Sequence, residues 1–162
     1  MKLSGAFVLN LALNRRFRNS HMNTQTLDVS SFEKALASLK KALDEFAKDT
    51  TNEFVRDACI QRFEYCYDLS TKMIKRYLKL TEDDPSAIEA MTAQERIRRA
   101  YETGILQHSW DKWWEYRDDR AATVHGYDVE RANSVVAKIP NFYTEAEFLL
   151  EALHDTQITA TP

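Results

Sequence analysis

Between Val129 and Leu153 the apolar side chains recur at alternating intervals of three and four residues: Val129, Ala132, Val136, Ile139, Tyr143, Ala146, Leu150 and Leu153. Only a helix brings such a set onto one face. Val135, Phe142 and Leu149 widen the stripe, and a face that broad has to be buried against at least two neighbours. A second stripe of the same rhythm runs through Phe32, Leu36, Leu39, Leu43 and Phe46. Turn formers are too scarce for a β-sandwich, with 3 Gly and 3 Pro in 162 residues. One domain of this length has room for a sizeable core. The expected fold is all-α, an up-and-down four-helix bundle with one short extra helix.

Local signals place the elements. Ser30-x-x-Glu33 reads as a capping box opening the first helix, and Asp49-Thr50-Thr51-Asn52 breaks it. A long second helix runs from about Glu53 to Leu80, with Ile60, Phe63, Tyr67, Ile74 and Leu78 on its inner face. Thr81 to Ser86 reads as a loop. Thr92-x-x-Glu95 is a second capping box, starting the short helix that ends near Gly104. Ser109 is placed to cap a helix from Trp110 to about Val124, which Gly126 ends; Asp128 caps the last helix. Pro140 should kink or split that helix, since it lacks the interior N–H.

The formal charge is −3, unevenly spread. Residues 1–21 carry Lys2, Arg15, Arg16 and Arg18 and no acid, so residues 22–162 carry −7. An acidic body argues against bulk nucleic-acid binding and leaves only a local basic patch for RNA. Gly5 to Leu13 is apolar but precedes its basic cluster, the reverse of a secretory signal. Ser20-His21-Met22 reads as a cloning-vector junction, which makes 1–21 a vector-derived or disordered leader, 22–155 the helical bundle and 156–162 a frayed tail. Cys59 and Cys66 lie seven apart without a CxxC pair, so they read as two free, half-buried thiols of a cytoplasmic protein rather than a zinc site. No apolar run approaches the ~20 residues of a membrane span.

The chemistry concentrates in Arg120-Ala-Ala-Thr-Val-His125-Gly-Tyr127. Arg is an always-charged clamp for phosphate, and His is the side chain best suited to move a proton near neutral pH. On a regular helix the two stand about 140° apart. They converge only if the helix unwinds at Gly126 or if two copies face one groove. Arg120 shares a face with Tyr116 and Trp113, which are placed to stack on it. His125 at a helix C-terminus is favoured as imidazolium. Arg plus His is a minimal set for metal-independent RNA cleavage, with His125 as base or acid and Arg120 offsetting charge on the phosphorane. The plain alternative is a solvated ion pair and a helix cap.

Arg-x4-His-x-Tyr at the end of a bundle helix resembles the signature of the HEPN superfamily, in its HepT-like branch. Arg56-Asp57, Ile60-Gln61-Arg62-Phe63-Glu64, Lys72 and Lys75-Arg76-Tyr77-Leu78 resemble the long second helix of the nucleotidyltransferase substrate-binding proteins. Trp110 and Ile139-Pro140 also fit, and the resemblance spans about residues 30 to 153. It implies a bundle that forms a homodimer and a partner, a small nucleotidyltransferase encoded nearby. In some relatives the Arg and His are those of a toxin ribonuclease, and the partner silences it by adding AMP to the Tyr. Carried over, these roles fall on Arg120, His125 and Tyr127. Two departures stand out: Ala121 where relatives commonly have Asn, and Ser70-Thr71 where they tend to have Ala-Trp.

Further candidates for substrate or partner contact are Arg62, Glu64, Lys72, Arg76 and Tyr116. The basic stripe Lys72, Lys75, Arg76, Lys79 can track an RNA backbone, or it is a helix face paired with acids. Glu64 and Asp68 share a face and either engage the nucleotidyltransferase or its metal, or form an ion pair with Arg62, Lys72 or a neighbouring helix. Trp110, Trp113 and Trp114 either stack on a base or belong to the core or a dimer interface. Glu115, Asp118, Asp119 and His125 are too scattered for a metal site, and no cofactor motif is present. The sequence thus supports a nucleotide- or substrate-binding partner subunit of a minimal nucleotidyltransferase. Its alternatives are a metal-independent endoribonuclease and a non-catalytic helical scaffold.

Overall fold

The structure is a computed structural model that describes residues 27–123 and 128–155. The expected leader (1–21), the tail (156–162), and His125, Gly126 and Tyr127 lie outside the described residues. Among the described residues six helices follow one another: α1 Ser30–Lys48, α2 Glu53–Thr81, α3 Pro85–Ala90, α4 Ala93–Glu102, α5 Trp110–Ala122 and α6 Val129–Asp155. The four longest form the bundle, and α2 touches each of the other five. No helix among them is long and apolar enough to cross a membrane.

Side-chain contacts give the directions. His154 near the end of α6 faces Glu33 at the start of α1. Arg56 and Asn133 pair near the starts of α2 and α6, whereas Tyr116 and Asp119 of α5 meet Asn141 and Lys138 of α6 in reverse order. The bundle is therefore up-down-up-down, with α2 and α6 as the parallel, diagonal pair. They meet through the aromatic core. Phe63 packs edge-on against Phe142 at 5.0 Å, Tyr116 against Phe142 at 5.4 Å and Trp113 against Tyr116 at 5.8 Å.

Local chemistry explains the boundaries and corrects several expectations. Thr92 and Glu95 form the capping box in full. Gly104 takes φ +84° after α4, and the Ile105 N–H reaches back to the Ala100 carbonyl, so the helix closes in a Schellman turn where a side chain would be strained. Asp128 caps α6 through the Arg131 N–H at 3.1 Å. Ser30 is no cap: it is the first helical residue, and its N–H donates to Asp28 Oδ1 at 2.9 Å, because an acid two residues upstream is the better acceptor. Ser109 makes no capping bond either. The loop expected over 81–86 contains the start of α3, where Asp84 accepts from the Ser86 and Ala87 N–H groups with Pro85 in the first turn. Pro140 does not split α6. It sits at an exposed position, while Val136, Ile139 and Phe142 hold both halves to the core.

Of the α6 stripe, Val135, Val136, Ile139, Phe142, Ala146, Leu149 and Leu153 are buried, Ala132, Tyr143 and Leu150 are only partly buried, and Val129 is exposed. Ile60 and Tyr67 of α2 are only partly buried, and Cys59 and Cys66 take interior positions. Both thiols are free and fully buried rather than half-buried. Loss of hydration pushes the Cys66 thiol up to about 12.

Candidate functional site

Arg120 stands in the last turn of α5, and its direction is set by what lies beneath it. Trp113 and Tyr116 are buried in the aromatic core, which fixes the rotation of α5 and leaves Arg120 at the edge facing α2. There its Nε and Nη2 donate to the two carboxylate oxygens of Asp68 at 3.3 and 3.2 Å, and Nη1 lies 3.9 Å from Glu64. The Asp68 bonds hold the guanidinium still more firmly protonated than usual. The Thr123 hydroxyl donates to the Arg120 carbonyl at 2.8 Å and so ends the helix. The expected stacking of Tyr116 and Trp113 on Arg120 does not occur, because both rings are committed to the core. The Tyr116 hydroxyl donates instead to the Asn141 carbonyl, and burial raises its pKa.

Side-chain exposures of 27% for Arg120 and 47% for Asp68 make this a wet ion pair. Such pairs contribute roughly 0–1 kcal/mol, so an anionic ligand can exchange with Asp68 at small cost.

Beside the pair lies a cleft of about 220 Å³. Its walls come from the first turns of α2, the end of α5 and the first turns of α6, and Glu64 belongs both to the cleft and to the surroundings of Arg120. Arg56 is 7% exposed at this cleft. Its Nε donates to Asp57 Oδ1 at 3.0 Å and its Nη1 to Asn133 Oδ1 at 3.3 Å. A wider groove of about 480 Å³ lies between α1 and α2, with Lys34, Arg62 and Tyr65 on its rim. It is lined by no buried charge, whereas the smaller cleft is lined by the buried Arg56 and by Glu64, the neighbour of Arg120, so the smaller cleft is the stronger candidate.

Of the residues singled out by sequence, the structure brings together Arg120, Glu64 and Asp68, the two acids pairing with a neighbouring helix. Arg62 points the other way and donates to the Ser38 carbonyl at 2.9 Å. Lys72 and Arg76 are exposed farther along α2, while Lys75 and Lys79 of the same stripe are taken up by Glu89. These two amines hold the Glu89 carboxyl down to about 2. Trp113 is core, Trp114 lies exposed under Arg117, and Trp110 is partly buried against Trp114. His125 and Tyr127 lie outside the described residues. Among those described, no three His, Cys, Asp or Glu side chains gather to hold a metal ion.

Sequence reading missed two features. The first is the identity of Arg120 as the partner of Asp68, where the sequence offered only an unnamed neighbouring helix. The second is Glu145, 1% exposed on α6, which accepts from the Gln107 and His108 N–H groups at 2.9 and 3.3 Å and meets the His108 ring nitrogen Nδ1. It pins the loop that leads into α5.

The sequence pattern of the family described as nucleotidyltransferase substrate binding protein like matches residues 27–155. A probable ribonuclease HepT of Haemophilus influenzae is 34% identical over 140 residues, covering 82% of this chain and 95% of that protein. A solved Haemophilus influenzae structure, described as revealing the fold of a substrate binding domain of a nucleotidyltransferase, superposes with a TM-score of 0.74. It is 31% identical and covers 78% of this chain and 99% of that one.

Proposed function

The chain belongs to the nucleotidyltransferase substrate-binding-protein-like family, and from that premise we propose that it is the nucleotide-binding partner subunit of a small, separately encoded nucleotidyltransferase. It works in the cytoplasm as a homodimer. The observation that carries this reading is Arg120, held by Asp68 and Glu64 beside a cleft that is part polar and part apolar. A weakly paired, always-charged guanidinium next to a slot of that character suits a phosphate-bearing ligand. In this reading Arg120 and His125 contact phosphate and Tyr127 receives AMP. The exposed rings of Phe54 and Tyr65, at 89% and 57%, lie about three turns apart on one face of α2 and support a second copy docking there. The test incubates the chain with a nucleotidyltransferase encoded beside it, ATP and Mg²⁺. Mass spectrometry should find AMP on Tyr127, and an unmodified tyrosine after full turnover of a control substrate refutes the reading.

A second reading is favoured by the 34% identity to a protein named as a ribonuclease. Here His125 removes the 2′-hydroxyl proton, the oxygen attacks phosphorus, and the 5′-oxygen leaves with a proton from a second His125 across the dimer. Arg120 exchanges Asp68 for the phosphorane. Cleavage of RNA in EDTA by the native chain, and none by His125→Ala or Arg120→Ala, is the expected result. Equal cleavage by all three, or none by any, removes this reading.

A further inference from the structure

The chemistry of the cleft decides what kind of group fits it. Two cations, Arg56 and Arg131, stand against three anions, Asp57, Glu64 and Asp128, so the lining carries a net charge of −1. A phosphate gains little there. A neutral group gains more, provided it offers acceptors to arginine and donors to carboxylate.

Arg56 is the built part of the site. Its side chain is 9% exposed, and its Nε and Nη2 both point at Asp57 Oδ1 while Nη1 points at Asn133. Two of its five N–H groups donate in these bonds and Nη2 stands 3.0 Å from the same Asp57 oxygen, so each terminal nitrogen keeps at least one N–H to offer. That is a fork for two adjacent acceptors on a flat edge. Ile60, Ala132 and Val135 supply apolar wall, and Glu64 and Asp128 supply acceptors.

We propose that this cleft is a guanine-selective base pocket, with Arg56 reading the O6/N7 edge. Of the two purines only guanine places two acceptors, O6 and N7, side by side on one edge; cytosine offers O2 and N3 but carries a single amino group as donor beside them, against guanine's N1–H and N2 amino pair. Guanine's N1–H and N2 amino group then face outward as donors, which suits Glu64 and Asp128. Adenine sets an amino donor beside N7 and so meets one arm of the fork donor to donor. At about 220 Å³ the cleft is smaller than sites that enclose whole drug-sized ligands, roughly 300–1,000 Å³, so it takes one base and leaves the sugar and phosphate toward Arg120. This inference deepens the nucleotide reading above and rests on it.

The test titrates the full chain by NMR with GMP, AMP, CMP and UMP and with the single strands UUGUU and UUAUU. Guanine should bind about 5- to 150-fold more tightly than adenine, the range expected of one bidentate arginine contact. Arg56→Lys keeps the charge and loses the fork, so it should erase the preference. Ala132→Phe fills the slot from its rim, leaves Arg56 and its partners in place, and should block all base binding; circular dichroism checks that both variants fold. Guanine preference confined to UUGUU identifies RNA as the source, and equal preference for GMP identifies the free nucleotide. Equal binding of all bases overturns the pocket but not the nucleotide reading, whereas no binding of any overturns both. A preference that survives in both variants places the selectivity elsewhere and also overturns the proposal.

Discussion

Replacing Glu145 tests how the loop before α5 is held. Its carboxylate is fully buried and collects three donors: the Gln107 N–H at 2.9 Å, the His108 N–H at 3.3 Å and the His108 ring. Bonds to a charged acceptor contribute about 1.5–3 kcal/mol each. The ring bond counts for less, because the His108 side chain is 54% exposed and water competes for it. The two backbone bonds then set an upper range of about 3–6 kcal/mol. Water reaching the freed N–H groups and the relief of a buried charge bring the net for Glu145→Ala to about 3 kcal/mol. For a chain of 162 residues that is a fall in Tm of about 6–12 °C. Glu145→Gln keeps one acceptor oxygen but turns an amino group toward donors, so it should lose about half as much. His108→Ala should lose under about 1 kcal/mol. Urea unfolding with unchanged m-values measures all three, and hydrogen exchange should show earlier opening of the first turn of α5. The reasoning fails if His108→Ala is as harmful as Glu145→Ala, or if Glu145→Ala falls within 1 kcal/mol of the native chain.

Asp68→Asn should strengthen nucleotide monophosphate binding about fivefold at low salt, because one net charge beside Arg120 is worth about 1 kcal/mol at the solvent edge. The gain should vanish in 0.5 M salt, and its absence at low salt means that Arg120 does not meet the phosphate. Glu89, with its carboxyl held down to about 2 by Lys75 and Lys79, should titrate near there in a carbon-detected NMR experiment. Its folded pKa is lowered, so its contribution is present above the ordinary carboxylate range and is lost as pH falls toward 2; Lys75→Gln with Lys79→Gln should return the midpoint to the ordinary range. Cys66 has its thiol raised to about 12 by burial, so stability should fall as pH rises from the ordinary thiol range toward 12, and Cys66→Ala should flatten that decline. An aromatic disulfide reagent should label neither Cys59 nor Cys66 in the native chain and both in urea, and native labelling contradicts their burial.

Helices were legible because their information is local. The stripe from Val129 to Leu153 needs only its own spacing, and Thr92 needs only Glu95 three residues on. Errors came where one short signal serves two purposes. Asp84-Pro85-Ser86 is both a loop former and a helix start, and Ser30 lost its cap to Asp28. The partners of Arg120 were harder, since Asp68 is 52 residues away and its selection depends on the rotation of α5. That rotation follows from burying Trp113 and Tyr116, and two rings spent on the core are not free to stack on the arginine. Glu145 did leave a trace. It lies three residues after Phe142 and four before Leu149, inside the apolar stripe, where an acid persists only with donors to satisfy it.

The position of Asp68 and Glu64 changes what Arg120 can do. A lone arginine at a helix end offers +1 to a phosphate, but this one, counted with its two neighbours, offers −1. The nearest carboxylate must turn away before a phosphate docks, and at 47% exposure Asp68 has water to turn into. Glu64 is 29% exposed and lines the cleft, so it stays close to any ligand. Phosphate attraction by itself is therefore a weak recruiter at this end of the bundle. The energy that seats a ligand has to come from a group the acidic lining does not repel. An uncharged base with donors toward Glu64 meets that condition, and seating it first brings its phosphate to Arg120 at high effective concentration. On the proposed base pocket, recognition of the base precedes and enables the exchange at Asp68, whichever reaction follows.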